Sequence, residues 1–140
     1  MILDNETLLS DQQAITTTAN STNQIDLGPI RPGIVRDIGN GKPIPILIQV
    51  TEAFAAAGAA TMTVALQTDD NPSFTSPKTV GSVSGVPVAD MKPGKAITID
   101  YVPRGTNERY IRLNYTVITG PFTAGRITAG ILLGGHQTNG

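Results

Sequence analysis

Apolar and polar residues alternate with period two over much of this chain. Met62, Val64 and Leu66 are separated by Thr63 and Ala65 and flanked by Thr61 and Gln67. Ile111, Leu113, Tyr115 and Val117 alternate with Arg112, Asn114 and Thr116, and Ile127, Ala129, Ile131 and Leu133 repeat the pattern. In a strand such alternation puts one set of side chains on a buried face and the other in water. Ile44, Ile46, Ile48 and Val50 form a further strand, whose Pro45 places its start at a sheet edge. Ile97, Ile99 and Tyr101 alternate with Thr98 and Asp100. Shorter strands are predicted over residues 14–19, 24–27 and 78–83, which brings the total to seven or eight.

Between the strands lie turn-forming clusters, and no βαβ alternation is visible. The prediction is therefore all-β, with antiparallel sheets packed face to face. The first dozen residues mix Ile2, Leu3, Leu8 and Leu9 with Asp4, Glu6 and Asp11, without a strand period. They read as an N-terminal arm, residues 1–12, before a sandwich over residues 13–134 and a tail over 135–140. Residues 28–42 form a long connection with four glycines and two prolines. Loops of this length in compact domains are usually functional. Ile30, Ile34, Val35 and Ile38 make this one too apolar to stay freely solvated, so it is expected to pack on something.

Composition sharpens the fold and removes functions. Of 140 residues, 42 are Ile, Val or Thr, which crowd a helix and suit a pleated strand. There is no cysteine, which excludes disulfide frameworks and thiolate chemistry. A net charge of -1 gives no electrostatic reason to expect nucleic acid or an anionic membrane as partner. Charged residues make up 15%, against about 25% in an average domain. The first residues lack the positive charge and apolar run of a secretory signal. Residues 53–68 are too short and too polar to span a bilayer.

No catalytic set assembles. His136, the only histidine, follows Gly134-Gly135 and reads as a solvated tail residue. Gly81-Ser82-Val83-Ser84-Gly85 has valine where a nucleophile elbow needs serine. Gly39-Asn40-Gly41-Lys42 lacks the first glycine of a phosphate loop, and Pro43 stands where Ser or Thr would bind magnesium. Asp69, Asn71 and Ser73 have the alternate spacing of calcium ligands, but Phe74 and Val80 occupy the positions that need Gly and Glu. Asx turns at the end of a strand are the expected reading. Arg104, Arg109, Arg112 and Arg126 lack the interleaved aromatics of a nucleic-acid platform and read as a solvated or interface face.

One resemblance spans most of the chain. The opening Met1-Ile2-Leu3-Asp4, Thr7-Leu8 and Ser10-Asp11-Gln12-Gln13-Ala14, followed by Ser21-Thr22-Asn23 and Ile25-Asp26-Leu27-Gly28, resembles the start of capsid cement proteins of short-tailed phages, the Bordetella phage type. Leu66-Gln67-Thr68-Asp69-Asp70-Asn71-Pro72-Ser73-Phe74 is similar to the loop after a strand in that family. The resemblance implies a jelly-roll β-sandwich, dimeric, on the capsid exterior of a virion assembled in the bacterial cytoplasm. Its partner would be the major capsid protein, whose neighbouring copies it cements. It would have no enzymatic activity, cofactor, metal, nucleic acid, membrane or small-molecule substrate.

Such a subunit needs apolar segments that dock. The candidates are Ile2, Leu3, Leu8 and Leu9 in the arm, and Arg31, Ile34, Arg36 and Ile38 in the 28–42 loop. Leu8, Leu9, Ile34 and Ile38 fit a role in capping the domain's own core equally well. If the arm docks, deleting residues 1–12 should weaken attachment and leave the domain folded. A carbohydrate-binding sandwich of the kind a virion or tail adhesin uses is the alternative, motivated by the Asp69-Asp70 loop. It is weakened by a total of only six aromatic residues.

Overall fold

A computed structural model describes residues 2–133, and for Ile2 and Leu133 only the backbone. His136 and the tail over 135–140 lie outside the described residues. Eight strands form: β1 (Ile2–Ala14), β2 (Ala19–Asn20), β3 (Ile25–Asp26), β4 (Ile46–Ala55), β5 (Thr61–Asp69), β6 (Lys78–Pro87), β7 (Tyr110–Ile118) and β8 (Ala124–Leu133). One sheet runs β1-β8-β4. The other runs β2-β7-β5-β6, with β3 also paired to β7. Every pairing is antiparallel.

β2 and β3 pair with successive stretches of β7, Ala19 against Tyr115 and Ile25 against Ile111, so they are two halves of one interrupted strand. Residues 96–101 run along the free side of β4. They are tied there by bridges between Pro45 and Tyr101 and between Gln49 and Ala96, and by Ile97 N–H donating to Ile48 O at 2.8 Å. With β2–β3 as the second position and residues 96–101 as the sixth, the sheet orders become 1-8-3-6 and 2-7-4-5. That is the double Greek key of a jelly roll.

The period-two residues meet between the sheets. Met62, Val64, Leu66, Ile111, Leu113, Ile127 and Ala129 are all buried. Phe54 packs edge-on against Phe122, with centroids 5.0 Å apart. Gly125 allows this, because a side chain there would overlap the Phe54 ring and its φ is +138°.

Three expectations are corrected. Residues 2–14 are a strand paired with β8, not an arm outside the sandwich. Their period is hidden by irregularities: six residues of β1, from Leu3 to Leu8, run past only three of β8, from Leu132 to Gly130. The surplus turns over Gly130, where a Cβ would lie 2.9 Å from Thr7 O and 3.1 Å from a Leu3 methyl. Leu47, paired with Gly130, and Leu132, paired with Leu3, are buried although neither belongs to the main core. The second correction concerns residues 14–19, of which only Ala14 and Ala19 lie in strands. Exposed Thr16–Thr18 bend the chain away. Third, β6 does not stop at Val83 but continues to Pro87, past an irregularity that contains Gly85 at φ +69°.

The two sides of the sandwich differ. On one side β1 is laced to β2 and β3. Asn23 N–H donates to Leu9 O at 3.0 Å, Thr22 N–H to Gln13 Oε1 at 2.9 Å, and Gln13 Nε2 to Asn20 O at 2.8 Å. Ser10 donates to Gln13 Oε1 at 2.7 Å and lies 2.8 Å from the buried Tyr115 hydroxyl, which is left to donate to it. Burial pushes the Tyr115 hydroxyl pKa up, keeping it protonated. The other side, between β6 and residues 96–101, lacks such lacing among the described residues. All four sheet edges are irregular: β1 and β6 by register shifts, β2–β3 by interruption, and 96–101 by its isolated bridges.

Candidate docking site

The 28–42 loop is built from its ends inward. Asp26 Oδ1 accepts the Gly28 N–H at 2.8 Å and fixes the exit from β3. Arg109 donates to both Asp26 oxygens, at 2.7 and 2.8 Å, and this pairing holds the Asp26 carboxyl down to about 2. Arg36 turns back into the loop, donating from Nη1 to Leu27 O at 2.7 Å and from Nη2 to Gly28 O at 3.0 Å. Its side chain thus satisfies carbonyls that no strand partner reaches.

The returning half is clamped to the turn before β7. Asp37 accepts Gly39 N–H and Gly105 N–H, at 2.9 and 2.8 Å. Ile38 N–H donates to Thr106 O at 3.2 Å, and its side chain packs against the core. Gly39 sits so close to the Pro103 carbonyl that any side chain would overlap it.

Between these anchors the tip is an Arg31-Pro32-Gly33-Ile34 turn. Ile34 N–H donates to Arg31 O at 3.1 Å, and Gly33 has a φ of +82°. Proline followed by a positive-φ glycine is the signature of a type II turn. The turn holds two apolar side chains in water: Ile34 is 57% exposed and Val35 88%. Arg31 is exposed beside them. A fixed turn loses little entropy when such side chains dock.

The residues singled out in the sequence divide accordingly. Arg31 and Ile34 stand at the surface. Arg36 and Ile38 are anchors facing inward. Leu9 is fully buried in the core, so it is not available for docking; the alternation hidden by the β1 irregularities points it inward. Leu3 and Leu8 are half-buried on the turn over Gly130, and Ile2 pairs through its backbone with Leu133. The two groups of candidates therefore do not form one patch. Val35 was missed as a docking residue although it lies in the same apolar run. Only the turn geometry distinguishes it from Ile38.

Other candidate chemistry is internal. Asp69 Oδ1 and Oδ2 accept N–H groups of Asn71 and Ser76, and Asn71 Oδ1 accepts that of Ser73, each at 2.8 Å. The Asn71 and Ser73 bonds are the expected Asx turns, and the Ser76 bond closes the loop back onto Asp69. No group of three His, Cys, Asp or Glu that could hold a metal is found among the described residues. Arg112 stacks on the Phe74 ring at 4.1 Å and donates to Gln67, while Arg126 pairs with Glu52 at 3.0 Å. Burial, with Asp70 and Asp69 nearby, raises the Glu108 pKa. No helix among the described residues is long and apolar enough to cross a membrane.

The family profile described as Bbp16 matches residues 9–131. The chain belongs to the Bbp16 family. That name is one of a Bordetella phage protein, so this Bbp16-family chain is placed among phage proteins. The match starts at Leu9, the first core residue of β1, and runs almost to the end of β8. It covers the 28–42 loop and all eight strands except the first seven residues of β1 and the last two of β8. No curated protein matches the chain.

Proposed function

We propose that this Bbp16-family protein is a structural component of the virion that binds the outside of a tailed-phage icosahedral capsid. There it cements neighbouring major capsid proteins and stabilises the shell, as a homodimer and without catalysis. The observation that carries this reading is the anchored tip. A phage-family jelly roll presents Ile34 and Val35 to water, beside exposed Arg31, on a loop that Arg36, Asp37 and Ile38 anchor from within. A rigid apolar projection suits a hollow on a partner protein. Weak docking suffices, because a shell engages many copies at once, and binding only to the assembled state stabilises it by mass action. The sugar-binding alternative has less to support it, since Asp69, Asn71 and Asp70 oxygens already accept backbone N–H groups.

The test uses shells that lack the protein. Purified wild type should co-sediment with them and raise their resistance to heat, and the Ile34→Ser/Val35→Ser variant should bind at least about tenfold more weakly. Wild type that does not bind shells would overturn the function. Full binding by the variant would overturn the role of the tip.

A further inference from the structure

A near-zero net charge conceals two charged edges. Residues 1–30 contain Asp4, Glu6, Asp11 and Asp26 and no Lys or Arg. All four acids are exposed on the β1–β3 side, and only Asp26 is in an ion pair among the described residues. Between β1 and β3 lies an open cleft of 580 Å³, lined by Asn5, Glu6, Thr22, Asn23, Gln24 and Asp26 among others. The opposite side, along β6 and residues 96–101, carries exposed Lys78, Lys92, Lys95 and Arg104 against exposed Asp90 and Asp100, a net positive balance, with none of the six in an ion pair among the described residues.

The basic side has a defined projection. Lys92-Pro93-Gly94-Lys95 closes with Lys95 N–H donating to Lys92 O at 3.0 Å, with Gly94 at φ +86°. This is a second turn of type II signature, with lysine at both ends. Gly94 N–H donates to Val50 O at 2.9 Å and Val50 N–H to Lys95 O at 2.9 Å, which fixes the turn to β4. Both edges are irregular, so contact between them must run through side chains and not through strand addition.

We propose that copies of this protein meet head to tail, the Lys92–Lys95 turn of one copy seated in the Glu6–Asp26 cleft of the next. The contact is heterologous: different patches meet, and it does not close on itself as a two-fold dimer does. Exposed ion pairs are individually weak and screened by salt. The contact therefore forms at high local concentration, as on a crowded surface, and dissolves in dilute solution. It is independent of the capsid reading, and its test uses free protein only.

Sedimentation velocity of the full chain should show a mass that grows past the dimer with concentration in about 0.05 M salt and falls back in about 0.5 M. Glu6→Lys/Asp11→Lys and Lys92→Glu/Lys95→Glu should each weaken this growth at least about tenfold. Mixing the two variants should restore it, because each then offers the edge that the other lacks. A zero-length carbodiimide should link Glu6 to Lys92 or Lys95 between copies. A wild-type mass that stops at monomer or dimer, variants that associate like wild type, or a mixture that gains nothing would each overturn the proposal.

Discussion

Residues 2–14 and residues 28–42 look alike in sequence: each mixes apolar and charged residues without a clean period, and each is a candidate for docking. The structure gives them opposite fates. The first is bound into a sheet along β8 and delivers Leu9 and Ser10 to the interior. The second forms no strand, and side chains of Arg36, Asp37 and Ile38 hold it from within while Ile34 and Val35 face water. What separates them is where the backbone groups go. A segment whose N–H and C=O groups meet a neighbouring strand becomes structure. One whose groups are met by its own side chains becomes a presented loop.

That contrast breaks most visibly at β1. Deleting residues 1–12 should unfold the domain, because it removes Leu9 from the core, strips β8 of a partner and opens the lacing to β2 and β3. Losing a buried leucine alone costs about 2–5 kcal/mol, out of a total of about 5–15. Circular dichroism melting would reveal it, and a cooperative transition near the wild-type temperature would show that the arm reading was right after all.

Gly39→Ala should come next, at about 1–3 kcal/mol, since the methyl group must displace the Pro103 carbonyl and loosen the clamp at Asp37. Urea titration would measure this. An effect below about 0.5 kcal/mol would mean that the clamp gives way freely. Tyr115→Phe should cost about 1 kcal/mol, because Ser10 loses one partner and keeps Gln13.

The loop's entrance titrates. Asp26 is held at about 2 in the fold against an ordinary 3.8, so the folded state favours its charged form. Its contribution is complete above pH 3.8 and is lost as pH falls toward 2. Asp26→Asn should flatten the acid limb of stability in that window. Glu108 acts with the opposite sign: burial raises its pKa above 4.5, so it lowers stability as pH rises through that region. Unchanged acid limbs in both Asp26→Asn and Glu108→Gln would contradict this account. The smallest effect on stability should come from Ile34→Ser/Val35→Ser, within about 0.5 kcal/mol, because both side chains are already in water. A large drop in melting temperature there would mean that the tip supports the core.

The sequence makes some of this legible. β5, β7 and β8 announce themselves through unbroken alternation, and the buried Ile97 and Ile99 follow theirs even where hydrogen bonding is sparse. β1 is hidden because its surplus residues shift the period at each irregularity, so neighbouring Leu8 and Leu9 end in different surroundings. In the loop, length and apolar content mark Ile34. Nothing in the sequence separates Arg31 from Arg36, because Arg36 is drawn inward by carbonyls that only the folded exit from β3 brings within reach.

The irregularity of all four sheet edges bears on how the protein behaves while it is being made. A β-rich chain made in quantity risks stacking strand upon strand into fibres, since a long regular edge is a template for the next chain. Here each edge ends that template early, so the pool of newly made subunits can accumulate without polymerising through its sheets.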